Sequence, residues 1–153
     1  MTARLRTQLV LLAAAALAAV PAGASAHGSP HPAIEGPDDL GAVVPVKFRF
    51  DLPGVTLDCP PPETAAPCKV DVAVRTARRI RYRAGQPKRK HVIGRLSYTL
   101  ASNREEAEPP PVKLNTVGRQ LLARLGSLKA VAKFNVFQYE TILHDFKLTL
   151  KRQ

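Results

Sequence analysis

The chain holds 153 residues with a formal net charge of +11, set by 23 Lys and Arg against 12 Asp and Glu. That length suits one domain with short extensions and excludes two. A basic balance bears on solubility and on partners and leaves the fold open.

In chain order, Arg4 and Arg6 precede an apolar run from Leu9 to Val20, followed by Pro21 and by Ala24-Ser25-Ala26, the small-x-small form that a signal peptidase accepts. Residues 1–26 are therefore expected to be a signal peptide, cleaved near Ala26 to leave His27 as the first mature residue of a secreted, extracytoplasmic protein. The run falls short of the roughly 20 apolar residues that cross a bilayer, and no second run of that length follows, so no transmembrane segment is expected after cleavage. Residues 27–42 are rich in Pro, Gly and polar groups without an apolar period. They read as a flexible N-terminal arm ahead of a single domain over 43–153.

Val44, Val46, Phe48, Phe50 and Leu52 alternate with Pro45, Lys47, Arg49 and Asp51, which predicts one half-buried strand. It is expected at an edge, because Pro45 cannot donate to a ladder. Pro53-Gly54 signals a turn, and Val55 to Cys59 predicts a second short strand that runs into prolines. Cys59 and Cys68 are the only cysteines. In an oxidising exterior two cysteines in one small domain pair most simply with each other, and their spacing suits a staple rather than a Cys-x-x-Cys redox motif. The bond is expected to hold two strand ends together at the rim, worth about 2–3 kcal/mol in the loop-closure model.

Val70, Val72 and Val74 predict a third strand. From Arg75 to Arg104 there are ten basic residues and no acidic one: Arg75, Arg78, Arg79, Arg81, Arg83, Lys88, Arg89, Lys90, Arg95 and Arg104. Ala84-Gly85-Gln86-Pro87 marks a turn inside this run, and Arg79 to Arg83 reads as extended. Val92, Gly94, Leu96, Tyr98 and Leu100 predict the inward side of a fourth strand, with Ile93, Arg95, Ser97 and Thr99 outward. Ser102 to Pro111 predicts a polar loop, since its proline run cannot sit inside a helix. Val112 and Leu114 predict a brief strand.

Leu114, Val117, Leu121, Leu122 and Leu125 recur at three-and-four spacing, so a short crossover helix is expected, stopping at Gly126. After it the period drops to two. Leu128, Ala130, Ala132, Phe134 and Val136 predict the inward face of one strand, and Phe146, Leu148 and Leu150 that of the last, with a hairpin between them over Gln138 to Thr141. About seven strands at short intervals with one short helix predict an all-β, two-layer antiparallel sandwich.

The order Cys59…Cys68-x-Val70, Arg75-Thr76-Ala77-Arg78-Arg79, Ile93-Gly94-Arg95-Leu96-Ser97 and Val112-Lys113-Leu114…Gly118-Arg119-x-Leu121-Leu122, followed by Leu128-Lys129-Ala130, resembles a known family. It is similar to the immunoglobulin-like β-sandwich modules of secreted proteins from high-GC bacteria, over roughly Val43 to Leu150. The resemblance implies an immunoglobulin-like fold and an envelope location, and carries over no catalytic residue. Two departures stand out. The loop from Asn103 to Pro111 replaces a tight Gly turn, and the last hairpin lacks its usual Gly. The cysteines also differ from the antibody arrangement: eight intervening residues are expected not to bridge the central strands of two sheets, and no Trp packs on them.

The basic run is the most pronounced surface signal. Arg75, Arg78, Arg79, Arg81, Arg83, Lys88, Arg89 and Lys90 on one turn and its flanks would attract an anionic cell-envelope polymer such as teichoic acid or acidic polysaccharide, or lipid headgroups, by counterion release. Another envelope protein is the alternative partner. Only Tyr82 and Tyr98 interleave with the cations, too few for a base-stacking platform, so sequence-specific nucleic-acid binding is not expected. Cleavage after Ala26 would give His27 an amino group and imidazole together, the start of a copper brace, with His31 as a second imidazole. The Pro-rich setting offers no further ligand, so no cofactor is expected. His91 reads as an exposed loop residue, and His144 as an inward or rim position of the last strand. No Gly-x-Ser-x-Gly, phosphate loop or His-Glu-x-x-His occurs, and His144 and Asp145 should point to opposite faces. The chain reads as a non-catalytic binding or structural module.

Overall fold

A computed structural model describes residues 32–60, 66–138 and 141–153, with the backbone alone at 41–42. The expected signal peptide, His27, His31 and the tip of the last hairpin lie outside these residues. Alternating apolar and polar residues build the longer strands, because a period of two sends one set inward. In chain order these are β1 (Ala33–Glu35), β2 (Asp39–Val46), β3 (Arg49–Phe50), β4 (Thr56–Cys59) and β5 (Cys68–Thr76). There follow β6 (Val92–Leu100), β7 (Arg104–Ala107), β8 (Val112–Leu114), helix α1 (Thr116–Leu125), β9 (Ser127–Phe137) and β10 (Thr141–Arg152).

Seven strands form one sheet in the order β2-β10-β9-β5-β6-β8-β3, and β1-β4-β7 form a second. The chain itself forces the large sheet to curl. β2 ends at Val46 and β3 begins at Arg49, yet the two lie at opposite ends of the seven-strand order. A flat sheet would separate them by six strand spacings, about 29 Å, whereas three residue steps span at most about 11 Å. The wall therefore bends into a half-barrel whose two edges are bridged by Lys47 and Phe48. Phe48 O accepts from Leu114 N–H at 2.9 Å on one side of this bridge, and Val46 O accepts from Gln153 N–H at 3.3 Å on the other.

The all-β expectation stands, and several finer ones are corrected. The strand read as continuous from Val44 to Leu52 is broken at Lys47-Phe48, where the chain passes from one sheet edge to the other. Phe48 is consequently 60% exposed, although its parity placed it inside. The pairing of β2 with β10 is parallel rather than antiparallel. Part of the segment read as an arm is ordered as β1, paired with β4 from Ala33↔Asp58 to Glu35↔Thr56, and as the start of β2. Within the segment read as a polar loop, β7 pairs with β4.

One core spans both sheets. Val55, just before β4, and Leu57 of β4 join Val70, Val72 and Val74 of β5, Phe134 of β9, and Phe146 and Leu150 of β10. Phe134 and Phe146 meet edge to face with centroids 5.4 Å apart, a geometry favoured by the ring quadrupoles. Cys59 and Cys68 form the expected disulfide, with Cα atoms 5.9 Å apart and neither residue exposed. Contrary to expectation it joins the middle strand of each sheet, which it can do because Cys59 is the last residue of β4 and Cys68 the first of β5. Buried Gln138 closes the same loop, its Nε2 donating to Pro60 O at 3.2 Å and Ala66 O at 2.8 Å.

Helix α1 lies across β6. Asn115 caps its N-terminus: Oδ1 accepts from Gly118 N–H at 2.8 Å, Nδ2 donates to Val92 O at 2.8 Å, and its own N–H donates to Ile93 O at 2.9 Å. Gly126, in a left-handed conformation at φ 70, closes the C-terminus by donating to Leu122 O at 2.8 Å. The helix covers Ile93, which alternation had placed outside and which is fully buried. A bulge lets this happen, since Val74 pairs with Gly94 but Arg75 pairs with Val92. Leu125, expected on the buried helical face, sits at the helix end and is 46% exposed.

Candidate anion-binding surface

The basic segment is a short hairpin closed at its base by a polar knot. Thr76 N–H donates to His91 O at 2.9 Å, His91 N–H donates to Thr76 Oγ1 at 3.0 Å, and that hydroxyl donates to Arg78 O at 2.9 Å. His91 Nε2 lies 2.8 Å from Ile80 O. A carbonyl only accepts, so this nitrogen carries the proton. His91 is 6% exposed, a correction to its reading as a loop-surface residue: it is the interior brace of the hairpin. Residues Arg79 to Arg83 do not form a strand. Only Ile80 and Arg89 make a bridge, with reciprocal bonds of 2.9 and 3.2 Å. At the tip Gln86 N–H donates to Arg83 O at 3.2 Å around Gly85, whose φ of 77 favours glycine.

Two outside elements hold this hairpin in place. Ala77 N–H donates to Lys129 O at 2.9 Å, tying it to β9. Arg124, in the last turn of α1, spreads its guanidinium over two successive carbonyls: Nη2 donates to Arg81 O at 2.6 Å and Nη1 to Tyr82 O at 2.8 Å. Tyr82 Oη donates to Gln120 Oε1 one helical turn earlier. Arg83 lies over the Tyr82 ring at 5.4 Å, and that ring packs 5.8 Å from His91.

The backbone is thus pinned, and the cationic side chains point outward. Arg75, Arg78, Arg79, Arg81, Arg83, Lys88, Arg89 and Lys90 are all exposed. Among the described residues none of them makes an ion pair; the pairs present are Lys133–Asp145 at 2.7 Å and His144–Asp38 at 3.4 Å. Beside the hairpin a cleft of about 450 Å³ is lined by Arg78, Arg79, Ile80, Leu125 and Lys129. Tyr98 stands apart from this surface. It faces Val70 across β5 and β6, packs against the core, and burial pushes its hydroxyl pKa up to about 12.

Sequence reasoning found the cations and missed the residues that present them. Arg124 and Gln120 form an i, i+4 stripe beside the apolar face of α1, a signal that was available. Nothing local marked Thr76 or Lys129 O as anchors. His144 is half-buried at the rim, 4.4 Å from the Phe146 ring, while Asp145 on the opposite face pairs with Lys133. Among the described residues no three His, Cys, Asp or Glu side chains converge on a metal-sized site, and no helix is long and apolar enough to cross a membrane. The copper reading at His27 and His31 falls outside them. No family model, curated protein or solved structure matches this chain.

Proposed function

We propose that this protein is a secreted, non-catalytic module of the immunoglobulin-like β-sandwich kind, which binds an anionic polymer at the bacterial cell envelope through its basic hairpin. The supporting observation is the pinned hairpin itself: seven cations from Arg78 to Lys90 without an internal counterion, on a backbone fixed by Arg124, His91 and Lys129 O. Ordering the loop before the ligand arrives removes an entropic cost from binding. The charge pattern calls for phosphate or carboxylate groups repeated along a chain, as in teichoic acid or acidic polysaccharide, and among the described residues Tyr82 alone lies within the hairpin, too little aromatic surface for reading bases. The N-terminal segment feeds β1 into one sheet and β2 into the other, and the rim disulfide links the two; both features favour the sandwich relationship.

The test is retention on an immobilised anionic polymer across a salt series. Each phosphate-type contact contributes about 0.7–0.9 to the slope of log affinity against log salt. Replacing Arg78, Arg79, Arg81 and Arg83 by Ala is expected to lower the slope by about 3. Unchanged retention in that variant, with circular dichroism showing a folded protein, removes the proposal.

A further inference from the structure

A second set of cations lies away from the hairpin, on the outer wall of the half-barrel. Arg49 on β3 stands directly opposite Lys113 on β8, and Lys113 stands directly opposite Arg95 on β6. Directly opposed residues share one face, with Cβ atoms about 4.5–5.5 Å apart. All three are exposed. Like charges in this relation destabilise a sheet.

No carboxylate of the described residues makes an ion pair with the row. Asp71, diagonal to Arg95, accepts a hydrogen bond from Ser97 Oγ and makes no ion pair with Arg95. Asp51, two residues past Arg49, makes none with Arg49. Farther along the same line, past Ala73, Asp145 is engaged by Lys133 at 2.7 Å. The run without an ion pair is therefore Arg49-Lys113-Arg95, three cations across three adjacent strands. One compact anion reaches at most two neighbours in a row about 10 Å long, whereas a chain of repeating charge meets all three. Arg75, which lies two residues beyond Ala73, the partner of Arg95, continues the positive surface toward the hairpin.

We infer that Arg49, Lys113 and Arg95 form a binding row for a linear polyanion laid across the strands, extending the contact made by the hairpin. The row rests on the polyanion reading above and is separable from it by experiment. The assay uses the full disulfide-bonded chain with long-chain inorganic polyphosphate as probe and orthophosphate, at equal phosphate concentration, as the second arm.

For Lys113→Thr the row demands two effects of opposite sign. Without polyanion the melting temperature rises by about 2–4 °C, because both like-charge contacts are gone. Polyphosphate affinity falls about fivefold at 0.1 M salt, and the log–log salt slope falls by about 0.7–0.9. Unchanged affinity and slope, or a lower melting temperature without polyanion, overturns the row. So does equal stabilisation of the unsubstituted protein by orthophosphate, which would make this a site for single ions. The double variant Arg81→Ala/Arg83→Ala separates the two surfaces. If it binds normally while Lys113→Thr is weakened, the row stands and the hairpin reading falls; the converse result sinks the row.

Discussion

Replacing Gly118 by Ala should destabilise the protein, although the same change in an exposed helix stabilises by up to about 1 kcal/mol. The reason lies under the helix. A Cβ at this position would sit 2.6 Å from Ile93 O, 2.9 Å from Ile93 Cβ and 3.1 Å from Leu114 Cδ2. The first contact is with a backbone oxygen that is held in place by the Asn115 N–H at 2.9 Å, so it cannot swing aside as a side chain would. Either α1 lifts off β6, weakening the Asn115 cap and uncovering Ile93, or the overlap stays as strain. Overpacking of this sort costs about 1–3 kcal/mol. An overlap this close to fixed backbone belongs in the upper part of that range, about 2–3 kcal/mol, so after the propensity gain the net loss is about 1–2 kcal/mol, or a melting temperature lower by about 4–10 °C in a domain of this size. Urea unfolding followed by circular dichroism measures it. Since α1 carries Arg124 and Gln120, the same variant should also lose part of its polyanion retention through a loosened hairpin. A variant as stable as the parent would refute the close-approach argument.

Arg124→Lys keeps the charge and removes the two-pronged grip on Arg81 O and Tyr82 O; amide exchange at the hairpin should quicken several-fold while global stability changes by less than about 1 kcal/mol. Reduction, or Cys59→Ser, should cost about 2–3 kcal/mol in chemical denaturation, the value expected for so short a loop. Tyr98 loses its proton near pH 12 when folded and near 10.0 when unfolded. Its folded pKa is raised, so its contribution is fully present below pH 10 and is lost as pH rises toward 12. Thermal melts over that range should show a decline that Tyr98→Phe reduces.

The strands that were legible in the sequence are those with neighbours on both sides. β5, β9 and β10 alternate cleanly because one face is packed and the other wet along most of their length. The features that were misread depend on partners that no local pattern encodes. β7, Arg-Glu-Glu-Ala, is largely exposed and reads as loop; only its pairing with β4 makes it a strand. The break at Lys47-Phe48 is invisible to periodicity because the alternation runs through it unbroken, and what splits the strand is closure of a sheet whose order is a long-range property. Ile93 is buried by a helix arriving from later in the chain, and His91 by a carbonyl eleven residues earlier. At the surface, charge was legible and its arrangement was not. Arg49, Lys113 and Arg95 lie far apart in the chain and become neighbours only through the register of β3, β8 and β6.

β2 and β10 lie more than 90 residues apart in the chain, with seven strands and the helix between them, yet they are ladder partners, with Asp39 beside Lys147 and Val46 beside Arg152. A chain emerging amino end first from the ribosome must hold β2 without that partner until β10 has been released. The closing step is thus postponed by connectivity: the β9–β10 hairpin forms locally, while the half-barrel is completed only by a contact of maximal sequence separation, of the kind that makes β-rich domains slow to fold. Until then the molecule remains open along that edge. A copy cut short before Phe146 would keep the exposed edge permanently.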